Sequence, residues 1–192
     1  DGHSLVVDGQ GRVVARARDF AEDVIVSDVP DPALGARSGA AGAPGPVREV
    51  ADGLEAQAMA ALELGLRDYV RKSGFERVVL GLSGGIDSAL TAAIAARALG
   101  PEQVLGVALP SRYSSDHSLR DAQQLARNLG IDYRVISIDG MYQASLDALE
   151  PVLAGREPDV TEENLQARAR GVVLMGISNA HGRLLLATGN KS

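Results

Sequence analysis

The chain has 192 residues, of which 45% are hydrophobic and 23% charged, with a formal net charge of −6; these values are typical of a globular protein that buries one core and carries further pieces. The acidic balance and the 3% aromatic content disfavour nucleic-acid binding, which relies on cationic and stacking side chains. The chain contains no cysteine for a disulfide or a zinc site, and no apolar run approaches the ~18 residues of a membrane span, so we expect a cytoplasmic protein with neither nucleic-acid nor membrane partners.

The first residues alternate between apolar and polar types in the manner of short strands. Strands are predicted at Ser4–Asp8, Arg12–Ala17 and Asp23–Val29, a set too small to form a domain alone. From Pro30 to about Pro46 the composition shifts to Pro, Gly, Ala and Ser, which indicates a flexible linker. We therefore expect a domain boundary within residues 30–50.

Beyond the linker, helices and strands alternate. A long helix is predicted at Asp52–Ser73, with one apolar stripe and Gly74 at its C-terminal cap. The predicted strands are then Arg77–Leu82, Gln103–Leu109, Tyr133–Ile138 and Arg183–Ala187, and the predicted helices are Asp87–Leu99, Ser115–Leu129, Met141–Leu153 and Glu162–Asn179. Such alternation favours an α/β, Rossmann-like fold, a parallel sheet with helices on both faces. Ligands bind such sheets beyond the carboxyl ends of the strands.

A glycine-rich turn follows the first strand of this alternation and is suited to bind phosphate. Gly84 and Gly85 let backbone N–H groups converge on an anion, and the next helix adds the partial positive charge of its N-terminus. Ser83 and Ser88 supply hydroxyl donors. Asp87 fits beside an anion as a ligand of a bridging Mg²⁺. The alternative is a structural turn in which Asp87 caps the helix.

The segment Ser83–Ser88 resembles the phosphate loop of the N-type ATP pyrophosphatases, a group that includes the NAD, GMP and asparagine synthetases. These enzymes cleave ATP between its α and β phosphates and transfer AMP to an oxygen of the substrate. The resemblance implies an adenine nucleotide alpha hydrolase-like fold, no side-chain nucleophile, and Asp87 as the metal ligand. The ATP-binding residues that it implies here are Gly81, Leu82, Ser83, Gly84, Gly85, Ile86, Asp87 and Ser88.

The segment after the second strand of the alternation narrows the range of possible substrates. Residues Leu109–Ser118 resemble the corresponding loop of NAD synthetases. Ser114 or Ser115 would cap the following helix in any case. Arg112 is the residue that a cap does not explain, and it is predicted to bind substrate.

The segment Thr161–Gly171 is similar to the substrate-binding helix of glutamine-dependent NAD synthetases. Asn164 and Arg168 are four residues apart and share a helix face, so the resemblance implies that they bind deamido-NAD. Arg170 points to another face. The alternative is a helix capped by Thr161 whose arginines lie at the surface.

The segment Thr188–Ser192 resembles the Thr-Gly-Asn-Lys-Ser motif of NAD synthetases. The resemblance implies that Thr188 contacts ATP and that Lys191 orients a phosphate of the substrates. In the family a glutamate follows this motif immediately, and the present sequence ends at Ser192.

Two glycines within the predicted Glu162–Asn179 helix suggest close approach by another group. Gly171 and Gly176 each cost a helix ~1 kcal/mol relative to alanine. This helix and the long helix after the linker are candidates for an interface between subunits. We therefore expect a homo-oligomer.

Together these resemblances imply a C–N ligase that amidates deamido-NAD to NAD with ATP and Mg²⁺. The carboxylate attacks the α-phosphorus, pyrophosphate leaves, and ammonia then displaces AMP. Residues 1–29 resemble the last strands of a nitrilase-like glutaminase domain that supplies ammonia from glutamine, so residues 51–192 are expected to form the synthetase domain. Two alternatives stay open, namely another N-type ATP pyrophosphatase such as GMP synthetase, or a nucleotide-binding module without turnover.

Overall fold

The computed structural model describes residues 3–28, 45–49, 53–157 and 159–189. The chain divides into two compact units, residues 1–64 and 65–192. Most of the predicted linker and residues 190–192 of the last predicted motif lie outside the described residues. None of the described helices is long and apolar enough to cross a lipid bilayer.

The first unit begins with an antiparallel hairpin, as predicted. Strand β1 (Leu5–Val7) pairs with strand β2 (Val13–Arg16). The turn between them is closed by Asp8, whose carboxylate accepts two backbone N–H groups at 2.9 Å. Gly11 in this turn has a φ of 80°, a value that glycine tolerates.

The third predicted strand, Asp23–Val29, is wrong over its described part, because residues 23–28 form no strand. The Asp23 carboxylate instead accepts a hydrogen bond from the backbone of Arg18 at 3.1 Å. Such local bonding by aspartate competes with the hydrogen bonds of a sheet. The second edge of β2 is occupied by Val47, which forms a parallel bridge with Arg16.

The second unit is built on a four-stranded parallel sheet, as predicted. Its strands are β3 (Arg77–Gly81), β4 (Val104–Ala108), β5 (Asp132–Val135) and β6 (Arg183–Leu186). The spatial order is β5–β4–β3–β6, so the chain builds the sheet outward from β3 and then returns to the other side of β3. Strand β3 therefore lies at the switch in strand order, where sheets of this kind bind ligands.

The described helices begin and end close to the predicted residues. They are α1 (Leu54–Lys72), α2 (Ile86–Leu99), α3 (Asp116–Leu129), α4 (Asp139–Leu153) and α5 (Val160–His181). Glycines follow three of them, and Gly130 and Gly182 adopt the left-handed conformation of a helix C-cap. A short 3₁₀ turn at Pro101–Gln103, which the sequence pattern does not indicate, leads into β4.

The N-terminal cap of α5 differs from the prediction. Asp159, not Thr161, is the capping residue, and its carboxylate accepts the Thr161 N–H at 2.7 Å. The Glu162 carboxylate accepts the Asp159 N–H at 2.7 Å, which completes a capping box. Hydrogen bonds from Thr161 hold the pKa of Asp159 below its usual value of 3.8.

The core lies on both faces of the sheet, because successive residues of a strand point to opposite faces. Val78 and Leu80 of β3 face one hydrophobic layer, whereas Val79 faces the other. The first layer is completed by buried alanines of α2 and α3, and the second by residues that include Ala169 of α5. Burial on both faces explains the continuous apolar runs of β3 and β4.

Candidate functional site

The phosphate loop, Ser83–Ser88, follows β3 and is fixed by its own hydrogen bonds. The Ser88 hydroxyl is buried, donates to the Gly85 carbonyl at 2.9 Å and accepts the Ser83 N–H at 3.3 Å. The Ser83 hydroxyl accepts the Gly85 N–H at 3.2 Å. Ser83 also lies at the edge of a pocket that opens at the carboxyl edge of the sheet. Ser88 therefore stabilises the loop from inside, and Ser83 is the serine of the loop that borders the pocket.

Two glycines of this region are required by close packing. Gly84 has a φ of 82°, and a Cβ there would lie 2.6 Å from the Ser118 carbonyl oxygen in the first turn of α3. Gly106 of β4 faces Leu82, and a Cβ on Gly106 would lie 2.4 Å from the Leu82 Cδ1. The Leu82 N–H also donates to the Val107 carbonyl at 2.8 Å. The start of the loop is thus attached to β4, and its glycine turn is pressed against α3.

Helix α2 begins at this loop without a side-chain cap. Its capping residue is Gly85, which supplies no side-chain hydrogen bond, so the alternative that Asp87 caps the helix is not what the structure shows. Asp87 lies exposed in the first helical turn, next to Ile86, which is 79% exposed. The N–H groups of an uncapped first turn are donors for an anion.

The Asp87 carboxylate fits a metal ion that takes its other ligands from a bound phosphate and from water. Among the described residues, no group of three or more His, Asp or Glu side chains could hold a metal ion by itself. Mg²⁺, however, is usually held by one or two carboxylates together with waters and phosphate oxygens of the substrate. An exposed carboxylate beside a phosphate loop meets that requirement.

The β4 loop, Leu109–Ser115, is held from two sides. The buried Ser111 hydroxyl donates to the Gln166 side-chain oxygen of α5 at 2.8 Å. Ser114 accepts the Ser111 N–H at 3.0 Å. Ser115 caps α3 by accepting the Ser118 N–H at 3.2 Å, one of the two capping serines that the sequence allowed. The loop therefore connects the start of α3 with α5.

Arg112, a predicted substrate-binding residue, is directed to α4. Its backbone N–H donates to the Asp139 carboxylate at 2.8 Å, and its guanidinium donates to the Gln143 side-chain oxygen at 3.1 Å. Arg112 is not among the residues that line the pocket. These contacts give it a positioning role in the loop, and its role toward substrate stays a prediction.

Tyr113 places an aromatic ring beside the pocket. Its ring is 70% exposed, lines the pocket and meets the Tyr142 ring edge to face, with centroids 6.3 Å apart. Tyr142 is fully buried, and this burial raises its pKa above 10.0. The exposed ring thus rests on a buried one.

A stripe of residues spaced by four along α5 faces the sheet and its loops. The Gln166 side-chain oxygen accepts a hydrogen bond from the Ser111 hydroxyl. Arg170 donates from Nε to the Leu109 carbonyl at 3.2 Å. Leu174 lies over Gly81, where an added Cβ would be 3.4 Å away. The Ser178 hydroxyl donates to the Arg183 carbonyl at 2.6 Å. This stripe fixes which side of α5 borders the pocket.

The predicted substrate residues of α5 lie on a different face. Asn164 and Arg168 are both exposed and are one turn apart, as predicted, but neither lines the pocket. Arg170 does point to another face than these two, and it is that face which borders the pocket. Gly171 lines the pocket, but a Cβ added at either Gly171 or Gly176 would meet no described group within 4 Å, so no close approach explains these two glycines.

A pocket of about 870 Å³ opens at the carboxyl edge of the sheet, between these segments. It brings together Ser83 of the phosphate loop, the β4 loop, α5 and Thr188 beyond β6. Lys191, also predicted at this end, lies outside the described residues. The lining residues are Gly81, Leu82, Ser83, Val107, Ala108, Leu109, Pro110, Tyr113, Ser114, Ser115, Ser118, Leu119, Ala167, Arg170, Gly171, Leu174, Met175, Leu185, Leu186, Ala187 and Thr188.

Sequence reasoning missed Tyr113 and Arg170 at this pocket, and also Gln166, which holds the β4 loop through Ser111. The spacing of four between Gln166 and Arg170 continues to Leu174, an apolar residue of the buried stripe. That spacing was the available signal, since residues four apart share a helix face. Tyr113 gives no comparable signal, because its place depends on the shape of the β4 loop.

A family model matches most of the chain, and curated relatives match it over its whole length. The family model described as NAD synthase matches residues 58–192. The glutamine-dependent NAD(+) synthetase of Rhodobacter capsulatus is 51% identical over 100% of the chain and 34% of that protein. The protein of the same description from Thermotoga maritima is 46% identical over 100% of the chain and 38% of that protein. The chain thus spans little more than a third of the length of these curated relatives.

Solved structures agree with the fold. The glutamine-dependent NAD+ synthetase of Acinetobacter baumannii, in complex with adenosine diphosphate, is 41% identical and superposes with a TM-score of 0.85, over 100% of this chain and 35% of that one. The NH3-dependent NAD synthetase of Campylobacter jejuni, in complex with the nitrate ion, is 32% identical with a TM-score of 0.62, over 69% of this chain and 56% of that one.

Proposed function

The chain belongs to the NAD synthase family, and from this premise we propose that the protein of which it forms part converts deamido-NAD to NAD, with cleavage of ATP to AMP and pyrophosphate. The observation that carries the proposal is the pocket at the carboxyl edge of the sheet. Its lining joins Ser83 of the phosphate loop, which leads into the uncapped N-terminus of α2, to apolar walls from α5 and β6. Such a site suits a nucleotide, which has an anionic part and a flat apolar base.

In this proposal the chain acts by position and electrostatics. The N–H groups of the first turn of α2 receive the phosphates of ATP, with Ser83 at the pocket edge. Thr188 contacts ATP from the other side of β3. Asp87 would hold Mg²⁺, which neutralises charge on the phosphate oxygens.

The second substrate completes the reaction. The deamido-NAD carboxylate attacks the α-phosphorus of ATP and expels pyrophosphate, and ammonia then displaces AMP from the acyl adenylate. We assign deamido-NAD to Asn164 and Arg168, with Lys191 orienting a phosphate. Asn164 and Arg168 are exposed on α5 and available to a ligand. Alignment of the reacting groups, rather than a side-chain nucleophile, accounts for the rate.

We further propose that glutamine supplies the ammonia. Both curated relatives described above are named glutamine-dependent. Residues 1–29 would then be the end of a nitrilase-like glutaminase domain, residues 30–50 a linker and residues 51–192 the synthetase domain. The cytoplasmic location, the homo-oligomer and the absence of a nucleic-acid partner stay predictions from the sequence.

An assay of the full-length protein tests this proposal. We expect NAD, AMP and pyrophosphate in equal amounts from deamido-NAD and ATP when either glutamine or ammonium is present. Formation of GMP from xanthosine monophosphate, without NAD from deamido-NAD, would favour the GMP synthetase alternative. Nucleotide binding without any product would favour a non-catalytic module. Activity with ammonium but not with glutamine would overturn only the interpretation of residues 1–29.

A further inference from the structure

Arg170 is held at the boundary between the sheet edge and the pocket. It lies on the sheet-facing stripe of α5, one helical turn before Leu174, which covers Gly81 at the end of β3. Its Nε donates to the carbonyl of Leu109, 61 residues earlier in the chain, at 3.2 Å. The side chain is half-buried, and it lines the pocket. The guanidinium is therefore fixed by one of its nitrogens at the place where a nucleotide would lie.

The rest of that guanidinium is available to a ligand. An arginine has five N–H donors in a planar fork, and the bond to Leu109 uses the one on Nε. The described residues offer no hydrogen-bond partner to the two terminal nitrogens. Among the described residues that line the pocket, Arg170 is also the only one whose side chain carries a permanent charge. A cation with open donors thus stands in a pocket whose other walls are apolar or neutral.

We infer that Arg170 binds an oxyanion of one of the two bound nucleotides, either a phosphate of ATP or the carboxylate or pyrophosphate of deamido-NAD. This inference rests on the proposed function, because that function makes the occupants of the pocket anionic. The Leu109 carbonyl orients the fork, so little side-chain freedom is lost when the anion binds. Arg112, by contrast, is already engaged by Asp139 and Gln143.

A purely structural role for Arg170 makes a different prediction. If its only task were to hold the Leu109 carbonyl, a neutral donor such as glutamine would replace it about as well as lysine does. An oxyanion requires charge, so lysine should retain more affinity than glutamine. The ionic strength of the buffer adds a second distinction, because only a charged contact weakens as salt is added.

The experiment measures nucleotide affinity in the full-length protein for the wild type, Arg170→Gln and Arg170→Lys, with Arg134→Gln as a matched control. Arg134 is exposed on β5 and does not line the pocket. The ligands are ATP, adenosine, deamido-NAD and NAD, titrated calorimetrically at low and high potassium chloride. We expect Arg170→Gln to weaken at least one anionic ligand about tenfold or more, Arg170→Lys to weaken it less, and Arg134→Gln to stay within about twofold.

The ligand series identifies the anion. A loss for ATP but not for adenosine assigns Arg170 to a phosphate of ATP. A loss for deamido-NAD but not for NAD assigns it to the carboxylate, since the two differ only in that group, and an equal loss for both assigns it to their pyrophosphate. In each case the salt dependence of that ligand should fall in Arg170→Gln.

Other outcomes would overturn the inference. The inference would be wrong if Arg170→Gln melted like the wild type and bound all four ligands with wild-type affinity. It would also be wrong if Arg170→Gln bound the anionic ligand no more weakly than Arg170→Lys does. If Arg170→Gln proves too unstable to titrate, Arg170→Lys decides. An ammonium lacks the planar fork that lets Arg170 bond Leu109 through Nε and an anion through its terminal nitrogens, so unchanged affinity in Arg170→Lys would refute the role. A wild type that bound neither nucleotide would overturn the proposed function itself.

Discussion

The phosphate loop and helix α5 border the same pocket, but the side-chain hydrogen bonds that shape the loop are local, whereas those that position α5 are long-range. Within the loop, Ser83, Gly85 and Ser88 bond to one another over at most five residues. Helix α5 is instead positioned by Gln166 and Arg170, whose partners lie 55 and 61 residues away. A six-residue pattern can therefore predict the loop, whereas the working face of α5 depends on how the whole domain packs.

The largest effect should come from adding a methyl group to the loop. In Gly84→Ala the new Cβ would meet the Ser118 carbonyl at 2.6 Å, at a φ of 82° that alanine tolerates poorly. We expect pyrophosphate release to fall to background and unfolding free energy to drop by ~1–3 kcal/mol. The matched control is Gly176→Ala on α5, where a Cβ meets nothing within 4 Å and stability should rise by ~1 kcal/mol. Normal activity in Gly84→Ala would show that the loop tolerates movement.

Removing the charge of Asp87 tests the chemistry of the loop without changing its shape. In Asp87→Asn we expect Mg²⁺-dependent pyrophosphate release to fall about a hundredfold, since metal stabilisation of phosphate charge contributes several kcal/mol. Thermal melting should change little, because Asp87 is exposed in the first turn of α2. Asp68→Asn, which breaks an exposed pair with Lys72 on α1, is the control. Unchanged release in Asp87→Asn would remove the metal role.

Arg168 tests the predicted face of α5. Its exposed side chain shares that face with Asn164 and does not line the pocket that Ser83 borders. We expect Arg168→Ala to weaken deamido-NAD about tenfold to a hundredfold, through loss of a charge-assisted contact of ~1.5–3 kcal/mol, and to leave ATP unchanged. Equal weakening of both nucleotides, or of neither, would contradict the assignment.

The long-range attachment of α5 can be weakened at one hydroxyl group. Ser111→Ala leaves the Gln166 oxygen without the donor that now lies at 2.8 Å in a partly buried contact. We expect a loss of ~1–2 kcal/mol in unfolding free energy, together with a higher KM for ATP, since the β4 loop lines the pocket. Ser145→Ala on α4, where an exposed hydroxyl donates to the Met141 carbonyl within the same helix, should be nearly neutral. Equal effects of the two substitutions would mean that the α5 attachment contributes nothing special.

The smallest expected effect concerns pH and the first turn of α5. Because the folded-state pKa of Asp159 is lowered below 3.8, its carboxylate contributes stability that is present above the unfolded-state value and is lost as the pH falls through the folded-state pKa. Asp159→Asn should therefore melt below the wild type near neutral pH, and the difference should shrink below pH 3.8. A difference in melting temperature that did not depend on pH would assign the effect to hydrogen bonding alone.

The sequence predicts the sheet and helices of the second unit well, because their apolar periodicity and glycine stops are local signals. It fails at Asp23, where a side-chain hydrogen bond to the backbone of Arg18 replaces the expected strand. It also selects Thr161 as the cap of α5, because the competing carboxylate of Asp159 is two residues earlier and its geometry is not visible in a pattern. The sequence also gives no sign of the contact between Arg112 and Asp139, which lies 27 residues away. These three features share one cause, since each depends on a specific partner rather than on periodicity.

Gly106 lies inside the sheet, but its lack of a side chain controls where the phosphate loop starts. With Leu82 packed 2.4 Å from the position of a Cβ on Gly106, any other residue there would force the Leu82 side chain to move, and Leu82 is the residue that leads into the phosphate loop. An inactive variant of this protein can therefore arise from a buried strand position that no ligand reaches. Screens that read tolerance to substitution as a map of ligand contacts would assign residue 106 to the active site, although it acts on the site only by leaving space.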